Sequence, residues 1–292
     1  MALSLNTNRG AMAALQTLNS TNKGLDQVQK RVSTGLSVAS TKDDSATFIT
    51  AQNLRGRQGD LKAVTNSLGN AKSVVDVAVS GAEQISDAVN QMKTLAKQAA
   101  DATITSDQRT ALDTDFKALV KQVDTVVKAS EFNGANLLIT TAPTGTVNTV
   151  NALQSLVNTN SSGGYTADTL EVTSAGLSVG TSGASPLSTA TTIAGADNSA
   201  ATTAITTLET YGGLVKTALS KLGSASRNID AQLSFSSKLG DTLTSGIGNL
   251  VDADMAKESA RLQSLQTKQQ LGMTALSMAN QGPSAVAQLF RG

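Results

Sequence analysis

Small or apolar side chains recur at alternating steps of four and three near the C-terminus. They are Val251, Met255, Leu262, Leu265, Gly272, Leu276 and Ala279. This spacing is the heptad pattern of a coiled-coil seam. Near the N-terminus, Leu18, Leu25 and Val32 lie seven residues apart, with Leu15 and Val28 beside them. Because each stripe needs a partner helix, we predict that the two chain ends pair as antiparallel helices.

Further helices are predicted between these ends. The first helix covers about residues 6–33 and ends at Gly35, because glycine readily adopts the left-handed conformation of a helix end. Asp43 or Asp44 is predicted to cap a long helix that runs to about residue 101. Thr105 and Gln108 form a candidate capping box for a third helix, over about residues 106–130. A fourth helical pattern returns after about residue 200 and continues to the C-terminal seam.

The centre of the chain has a different composition. No Lys or Arg occurs between Lys128 and Lys216, and residues 140–200 are about one third Ser plus Thr. Alternation in residues 169–173 and 177–179 predicts small β-hairpins, with turns at the glycines, Gly176, Gly180 and Gly183. A flexible linker is the alternative interpretation.

These patterns predict a mainly α fold with a small β-hairpin-rich central region and a discontinuous domain layout. Residues 1–43 and 241–292 form the terminal helices. Residues 44–139 and 200–240 form a helical rod domain, and residues 140–199 form a Ser-, Thr- and Gly-rich outer region.

Composition narrows the classes of function. Aromatic residues make up 2% of the 292 residues, which suits narrow helix seams better than a thick core. The net charge of +1 gives no basic surface for nucleic acid or an anionic membrane. Without Cys or His, and without a compact nucleophile and base, we expect no metal site, no cofactor and no enzymatic activity. No signal-peptide-like run or membrane-helix run occurs.

Motifs at both ends carry a resemblance. Residues 29–36 read QKRVSTGL and residues 42–46 read KDDSA. Toward the C-terminus the chain has Leu222–Gly223, Arg227, Ile229 and Asp230, then DADMA at residues 252–256, ANQ at residues 279–281 and LFR at residues 289–291. In this order, these stretches resemble the terminal signatures of bacterial flagellins.

The resemblance implies a short flagellin that polymerises into the extracellular flagellar filament for swimming motility. It also implies export of the unfolded chain through the flagellar type III channel, and no enzymatic role. The implied partners are other copies of the chain, an export chaperone, the filament cap and the hook-filament junction proteins. A hook-filament junction protein is an alternative within this class, and a secreted fibre or adhesin is an alternative outside it.

One segment resembles the stretch of flagellins that an innate immune receptor of animals recognises. It is residues 90–98, NQMKTLAKQ, in which Leu95 fits the pattern. Gln91 stands where stimulating members carry an Arg, which removes a cation with paired hydrogen-bond donors. We therefore expect weak receptor activation.

The self-assembly residues are expected to act by packing. They are Leu15, Leu18, Leu25, Val28, Val32, Met255, Leu262, Leu265 and Leu276. Ordering a backbone costs about 1 to 2 kcal/mol per residue, whereas each buried apolar side chain returns only about 1.5 to 3 kcal/mol. A single tail is therefore expected to be largely disordered, and we expect polymerisation to complete the folding of both ends.

Overall fold

The fold is mainly α-helical, as the sequence predicts. A computed structural model describes residues 8–139, 146–158, 165–180 and 186–289. Within these ranges lie five helices and two strands: α1 (Arg9–Thr34), α2 (Ser45–Ala99), α3 (Ser106–Ala129), β1 (Thr149–Asn158), β2 (Tyr165–Thr173), α4 (Ser199–Val251) and α5 (Met255–Leu289). The predicted start of the first helix at residue 6 lies outside the described residues.

The predicted helix ends are confirmed by their hydrogen bonds. Gly35 adopts a φ of 71°, and its N–H donates to the Arg31 carbonyl at 2.8 Å. At the start of α2, Asp44 Oδ1 accepts from the Thr47 N–H at 3.2 Å. Thr105 and Gln108 form the capping box that opens α3. Short polar motifs therefore fix where these helices begin and end.

The chain forms two compact units. Unit 1 comprises Met1–Gln58 and Asp241–Gly292, and unit 2 comprises Gly59–Gly240. The boundaries between the units fall inside α2 and α4. The assignment of residues to terminal, rod and outer regions stays a prediction.

Unit 2 contains an extensive apolar core. Its fully buried side chains include Leu68, Ile85, Met92, Phe116, Leu137, Leu138, Leu177, Leu187, Ile193, Leu208, Tyr211 and Leu222. The Tyr211 hydroxyl donates to the Leu177 carbonyl at 2.6 Å, so its polar end is satisfied inside the core. The described part of the Ser- and Thr-rich region thus contributes to the core, and the linker interpretation does not apply to it.

Two charged side chains of α3 hold the chain segment that precedes α4. Arg109 is only 4% exposed, and it donates to the carbonyls of Ala99, Asp101 and Ala196 at 2.9, 3.1 and 3.4 Å. One helical turn further on, Asp113 Oδ1 accepts from the Ile193 N–H at 2.8 Å. Arg109 therefore ties the end of α2 and the approach to α4 to the same helix.

The hairpin prediction is partly confirmed. Strands β1 and β2 pair antiparallel, from Thr149 opposite Thr173 to Asn158 opposite Tyr165, with an irregularity between Leu153 and Ser155. The predicted strand at residues 177–179 is wrong. Leu177 is fully buried and its N–H donates to the Leu138 carbonyl at 2.7 Å, so this segment packs into the core. The predicted turn glycine Gly183 lies outside the described residues.

Candidate assembly site

Helices α1 and α5 lie side by side in unit 1 with opposite chain directions. Asn8 Nδ2 donates to the Ala279 carbonyl at 2.7 Å, and Gln269 Nε2 donates to Asn22 Oδ1 at 2.9 Å. Farther along, Arg31 pairs with Glu258. Partner numbers on α5 fall as those on α1 rise, which defines an antiparallel pair. The predicted pairing of the two chain ends is confirmed.

Two leucines approach glycines across this seam. A methyl group placed at Gly24 would lie 3.6 Å from Leu265 Cδ1, and one placed at Gly272 would lie 3.3 Å from Leu18 Cδ1. The methyl group at Gly272 would be tighter than a usual contact, whereas the one at Gly24 would make an ordinary van der Waals contact. The two contacts are reciprocal, since each helix supplies one leucine and one glycine.

The predicted assembly residues separate into seam and surface positions. Val28 is 2% exposed, and six others are half-buried: Leu18, Leu25, Val32, Leu262, Leu265 and Leu276. Leu15 is 48% exposed and Met255 is 42% exposed. Leu15 directly follows the half-buried Ala14, so its side chain points away from the seam. Met255 is exposed at the first position of α5. The role of all nine residues in assembly stays a prediction.

Polar residues that interrupt the apolar stripe belong to the same seam. Glu258 and Gln269 continue the four-and-three spacing of α5, which is the signal that could have found them. Glu258 is 7% exposed and accepts a hydrogen bond from Arg31 Nη1 at 3.2 Å, so its carboxylate is buried in the seam. Arg31 Nε and Glu258 Oε2 are buried without a hydrogen-bond partner among the described residues.

A short backbone pairing, here called the clasp, joins Gly35–Val38 to Val251–Ala253. The Ser37 N–H donates to the Val251 carbonyl at 2.7 Å, and the Ala253 N–H donates to the Gly35 carbonyl at 2.9 Å. Leu36 and Asp252 form an antiparallel bridge between them. The clasp therefore connects the two helix breaks of unit 1 beside the Arg31–Glu258 pair.

The aspartates on either side of the clasp act as caps. Asp43 Oδ2 accepts from the Ser40 hydroxyl at 3.0 Å, and this hydrogen bond lowers the pKa of Asp43. The hydrogen bond from the Thr47 hydroxyl likewise lowers the pKa of Asp44. Asp254 Oδ1 accepts from the Lys257 N–H at 3.1 Å at the start of α5. Among the described residues, no cluster of three or more possible metal ligands occurs.

Unit 1 leaves several large apolar side chains uncovered. Five of them are here called the uncovered set: Met12 (68% exposed), Leu15 (48%), Leu271 (62%), Met273 (52%) and Met278 (67%). All five belong to the paired helices α1 and α5. The pair thus buries one stripe of each helix and exposes other apolar positions.

The receptor-like residues lie in unit 2. Gln91 is exposed on α2, and Leu95 is half-buried against the unit 2 core. Both line a shallow groove together with Asp115, Leu119 and Gln122 of α3. The structure places these residues side by side, and receptor recognition stays a prediction. Among the described helices, none is both long and apolar enough to cross a membrane.

Comparison with known proteins identifies the family. The bacterial flagellin N-terminal helical region matches residues 5–142, and the bacterial flagellin C-terminal helical region matches residues 199–290. Flagellin FljM of Caulobacter vibrioides is 41% identical over 292 residues, with all of both chains covered. A flagellin of Brucella melitensis is 35% identical over 290 residues, with 99% of each chain covered. The crystal structure of Bacillus cereus flagellin aligns at 23% identity and a TM-score of 0.45, covering 58% of this chain and 88% of that one.

The paired terminal helices and these matches define a class of structural protein that builds filaments. The chain belongs to the bacterial flagellin family, and its role is that of a subunit of the flagellar filament.

Proposed function

We propose that this chain polymerises into a helical flagellar filament through the nine predicted assembly residues and the uncovered set of α1 and α5. The observation that carries the proposal is the exposure of Met12, Leu271 and Met278 to between 62% and 68%. Apolar side chains exposed together are typical of surfaces that another protein covers. In a filament subunit, neighbouring copies are the proteins that cover them.

The charge distribution of the two helices supports this proposal. Residues 10–22 and residues 269–290 contain no Asp, Glu, Lys or Arg. Charged residues are depleted from the cores of protein interfaces, because burying a charge is costly unless it is paired. These stretches can therefore be covered by other copies without burying unpaired charges.

Seeded polymerisation tests the proposal. Purified chain is added to short filament fragments, and sedimentation and electron microscopy measure elongation. We expect Leu271→Ser to raise the critical concentration about tenfold or more, because burial of one leucine is worth about 1.5 to 3 kcal/mol. Deleting residues 263–292 should abolish elongation, since the deletion removes most of α5.

Gln270→Ser is the matched control, because Gln270 is the exposed polar neighbour of Leu271. Its critical concentration should stay within about twofold of the unmodified chain, as expected for a surface substitution. Failure of the unmodified chain to elongate seeds would refute the proposal. So would a Leu271→Ser variant that assembles like the unmodified chain.

We also propose that the protein acts outside the cell, after export of the unfolded chain through the flagellar type III channel. An export chaperone, the filament cap and the hook-filament junction proteins are the proposed partners. The proposal rests on membership of the flagellin family. Intact-mass measurement of shed filaments should find an uncleaved N-terminus, and removal of an N-terminal leader would contradict it.

The groove beside Gln91 leads to a proposal on immune recognition. An exposed Gln at this position lacks the forked cation of stimulating flagellins, so this chain should activate the animal flagellin receptor weakly. We expect Gln91→Arg to raise the response of receptor-bearing reporter cells, whereas Gln98→Arg, at another exposed position of α2, should not. An equal response to both variants would contradict the assignment.

A further inference from the structure

Methionine is unevenly distributed between the two units. The chain has six Met, and unit 2 contains one of them, Met92. Met92 is fully buried in the unit 2 core. Met12, Met273 and Met278, on α1 and α5, are 68%, 52% and 67% exposed. These three residues are here called the methionine set. They are the sulfur-containing members of the uncovered set, so the lone chain presents three thioethers to solvent.

The register of the α1 and α5 pair places two of these thioethers at one level. Leu18 lies against Gly272, with 3.3 Å between Leu18 Cδ1 and a methyl group placed at the glycine. Because the helices are antiparallel, six steps back along α1 and six steps forward along α5 lead from this contact to Met12 and Met278. Both helices rise by about 1.5 Å per residue, so these two residues share a level of the pair. Met273 directly follows Gly272.

The methionine set lies in stretches without charged side chains. Residues 10–22 and 269–290 contain no Asp, Glu, Lys or Arg, which suits them to burial by another protein. Met255 is also exposed, but it lies beside Asp254 and close to Lys257, outside these stretches. Oxidation converts the apolar thioether of Met into a polar sulfoxide. Burying a polar oxygen without a hydrogen-bond donor is costly, so oxidation makes this surface harder to cover.

Methionine provides all of the sulfur in this chain, because the chain has no Cys. It also has no His and no Trp, which leaves Met as the side chain that a peroxide oxidises most readily. In the reaction, the sulfur donates two electrons to the O–O bond, one oxygen is transferred to sulfur, and the other leaves as water. The peroxide must reach the sulfur, so exposure distinguishes the methionine set from Met92.

We propose that the methionine set is a site of reversible oxidation that controls the addition of this chain to the filament. Conversion to sulfoxide in the unassembled chain blocks addition, because neighbouring copies would have to bury the new polar oxygens. Addition of the reduced chain covers the same side chains and protects them from peroxide. The proposal rests on the polymerisation proposed above and adds a modification that regulates it.

Peptide mass spectrometry after brief treatment with hydrogen peroxide tests the selectivity of oxidation. In the unassembled chain, we expect sulfoxide at Met12, Met273 and Met278, while Met92 stays reduced and serves as the internal control. In filaments grown from seeds, the same three residues should be oxidised several times more slowly. Equal rates at Met92 and at the methionine set, or equal rates in the lone chain and the polymer, would overturn the proposal.

Seeded polymerisation tests the effect of oxidation on assembly. Peroxide is removed with catalase before seeds are added. The oxidised chain should have a critical concentration about tenfold or more above that of the same chain before treatment. Treatment with both classes of methionine sulfoxide reductase, one for each sulfoxide epimer, should restore assembly. Dithiothreitol supplies the two electrons for each reduction, and the sulfoxide oxygen leaves as water. Assembly that stays lost after complete reduction would refute control by the sulfoxide.

Leucine variants identify the sulfurs that are responsible. The triple variant Met12→Leu, Met273→Leu and Met278→Leu keeps apolar side chains that peroxide does not oxidise. Each variant is compared with itself before and after treatment, so differences in starting affinity cancel. The critical concentration of the triple variant should change by less than about twofold on treatment. The matched control, Met92→Leu with Met255→Leu, keeps the methionine set and should show the full increase of about tenfold or more.

The outcomes separate this proposal from polymerisation itself. If the untreated chain elongates seeds and the chain with sulfoxide at all three positions elongates them equally well, control by oxidation is refuted and polymerisation stands. If the triple variant loses assembly on treatment as the unmodified chain does, the methionine set is refuted as the site. If the untreated chain does not elongate seeds, the polymerisation proposal itself fails.

Discussion

Gly81 shows how one position without a side chain determines the packing of unit 2. A methyl group placed there would collide with the Ser130 hydroxyl and would lie 2.9 Å from Leu138 Cδ1. Gly69, on the same helix, has no described atom within 4 Å of such a methyl group. Sequence alone could not distinguish the two glycines, because both lie inside a helical pattern and both lower helix propensity. The two glycines differ because the fold places residues 130 and 138 next to Gly81.

Alanine substitutions should therefore have opposite effects at these glycines. We expect Gly81→Ala to lower the free energy of unfolding by about 1 to 3 kcal/mol through overpacking. Gly69→Ala should raise it by about 0.5 to 1 kcal/mol through better helix propensity. Chemical denaturation measures both values, and destabilisation of equal size at both positions would contradict the packing argument.

The environment of Asp113 makes the stability of unit 2 depend on pH. Burial raises the pKa of this carboxyl group, but hydrogen bonds from Lys117, the Ile193 N–H and the Thr192 hydroxyl outweigh burial, and the pKa is lowered. A lowered pKa in the folded state stabilises the protein above the unfolded pKa of about 3.9. This contribution is lost as the pH falls through the folded pKa.

We expect Asp113→Asn to cost about 1 to 3 kcal/mol at pH 7, because it weakens hydrogen bonds to a buried charged group. The difference from the unmodified chain should shrink as the pH falls below about 4. Denaturation curves between pH 7 and pH 3 measure this convergence. Asp115→Asn, at an exposed position of the same helix, is the control variant, and a constant difference for Asp113→Asn would contradict the assignment.

At the scale of elements, heptad spacing predicted much of the α1 and α5 pair and missed its polar positions. Leu18, Leu25 and Leu265 were identified from spacing alone because apolar side chains mark a seam directly. Glu258 occupies a seam position too, but a carboxylate gives no apolar signal, and only the structure shows that Arg31 lies opposite. Strand β1 was missed for a related reason, since the irregularity at residues 153–155 interrupts its alternation.

The Arg31–Glu258 pair should show strong coupling. Arg31→Met leaves the buried Glu258 carboxylate without a partner, and Glu258→Leu leaves the partly buried Arg31 without one, so each should lower the stability of the polymer by about 3 kcal/mol. The double variant should be no less stable than either single variant, since it buries no charge. The dissociation temperature of filaments measures the effect. Lys30→Met, at the exposed neighbouring position, is the control, and additive losses in the double variant would contradict the coupling.

For the whole molecule, the patterns along the chain predicted a mainly α fold and the meeting of its two ends. The meeting could be predicted because two unpartnered stripes occur far apart in one chain, at Leu18 to Val32 and at Leu262 to Leu276. The folding of the central region into the unit 2 core could not be predicted from the sequence. Leu177, Leu187 and Ile193 lie among Ser, Thr and Gly, and their burial depends on surfaces supplied by distant helices.

Proteolysis should reveal how assembly stabilises the ends. We expect α1 and α5 to be cleaved readily in the lone chain and to resist cleavage in the polymer, because neighbouring copies cover the uncovered set. Mass spectrometry of limited digests locates the cleavage sites. The core of unit 2 should resist cleavage in both states. Equally resistant ends in the lone chain would contradict the expected coupling of folding to assembly.

The clasp delays the folding of unit 1, because it cannot form until both of its sides have been synthesised. Its two sides, around Ser37 and Val251, lie far apart in the sequence, so α1 has no partner until the segment that contains Val251 and α5 has been made. During synthesis, α1 is made more than two hundred residues before the segment that it pairs with. Completion of unit 1 therefore waits for α5, and a product that stops before residue 251 lacks both the clasp and the helix that pairs with α1.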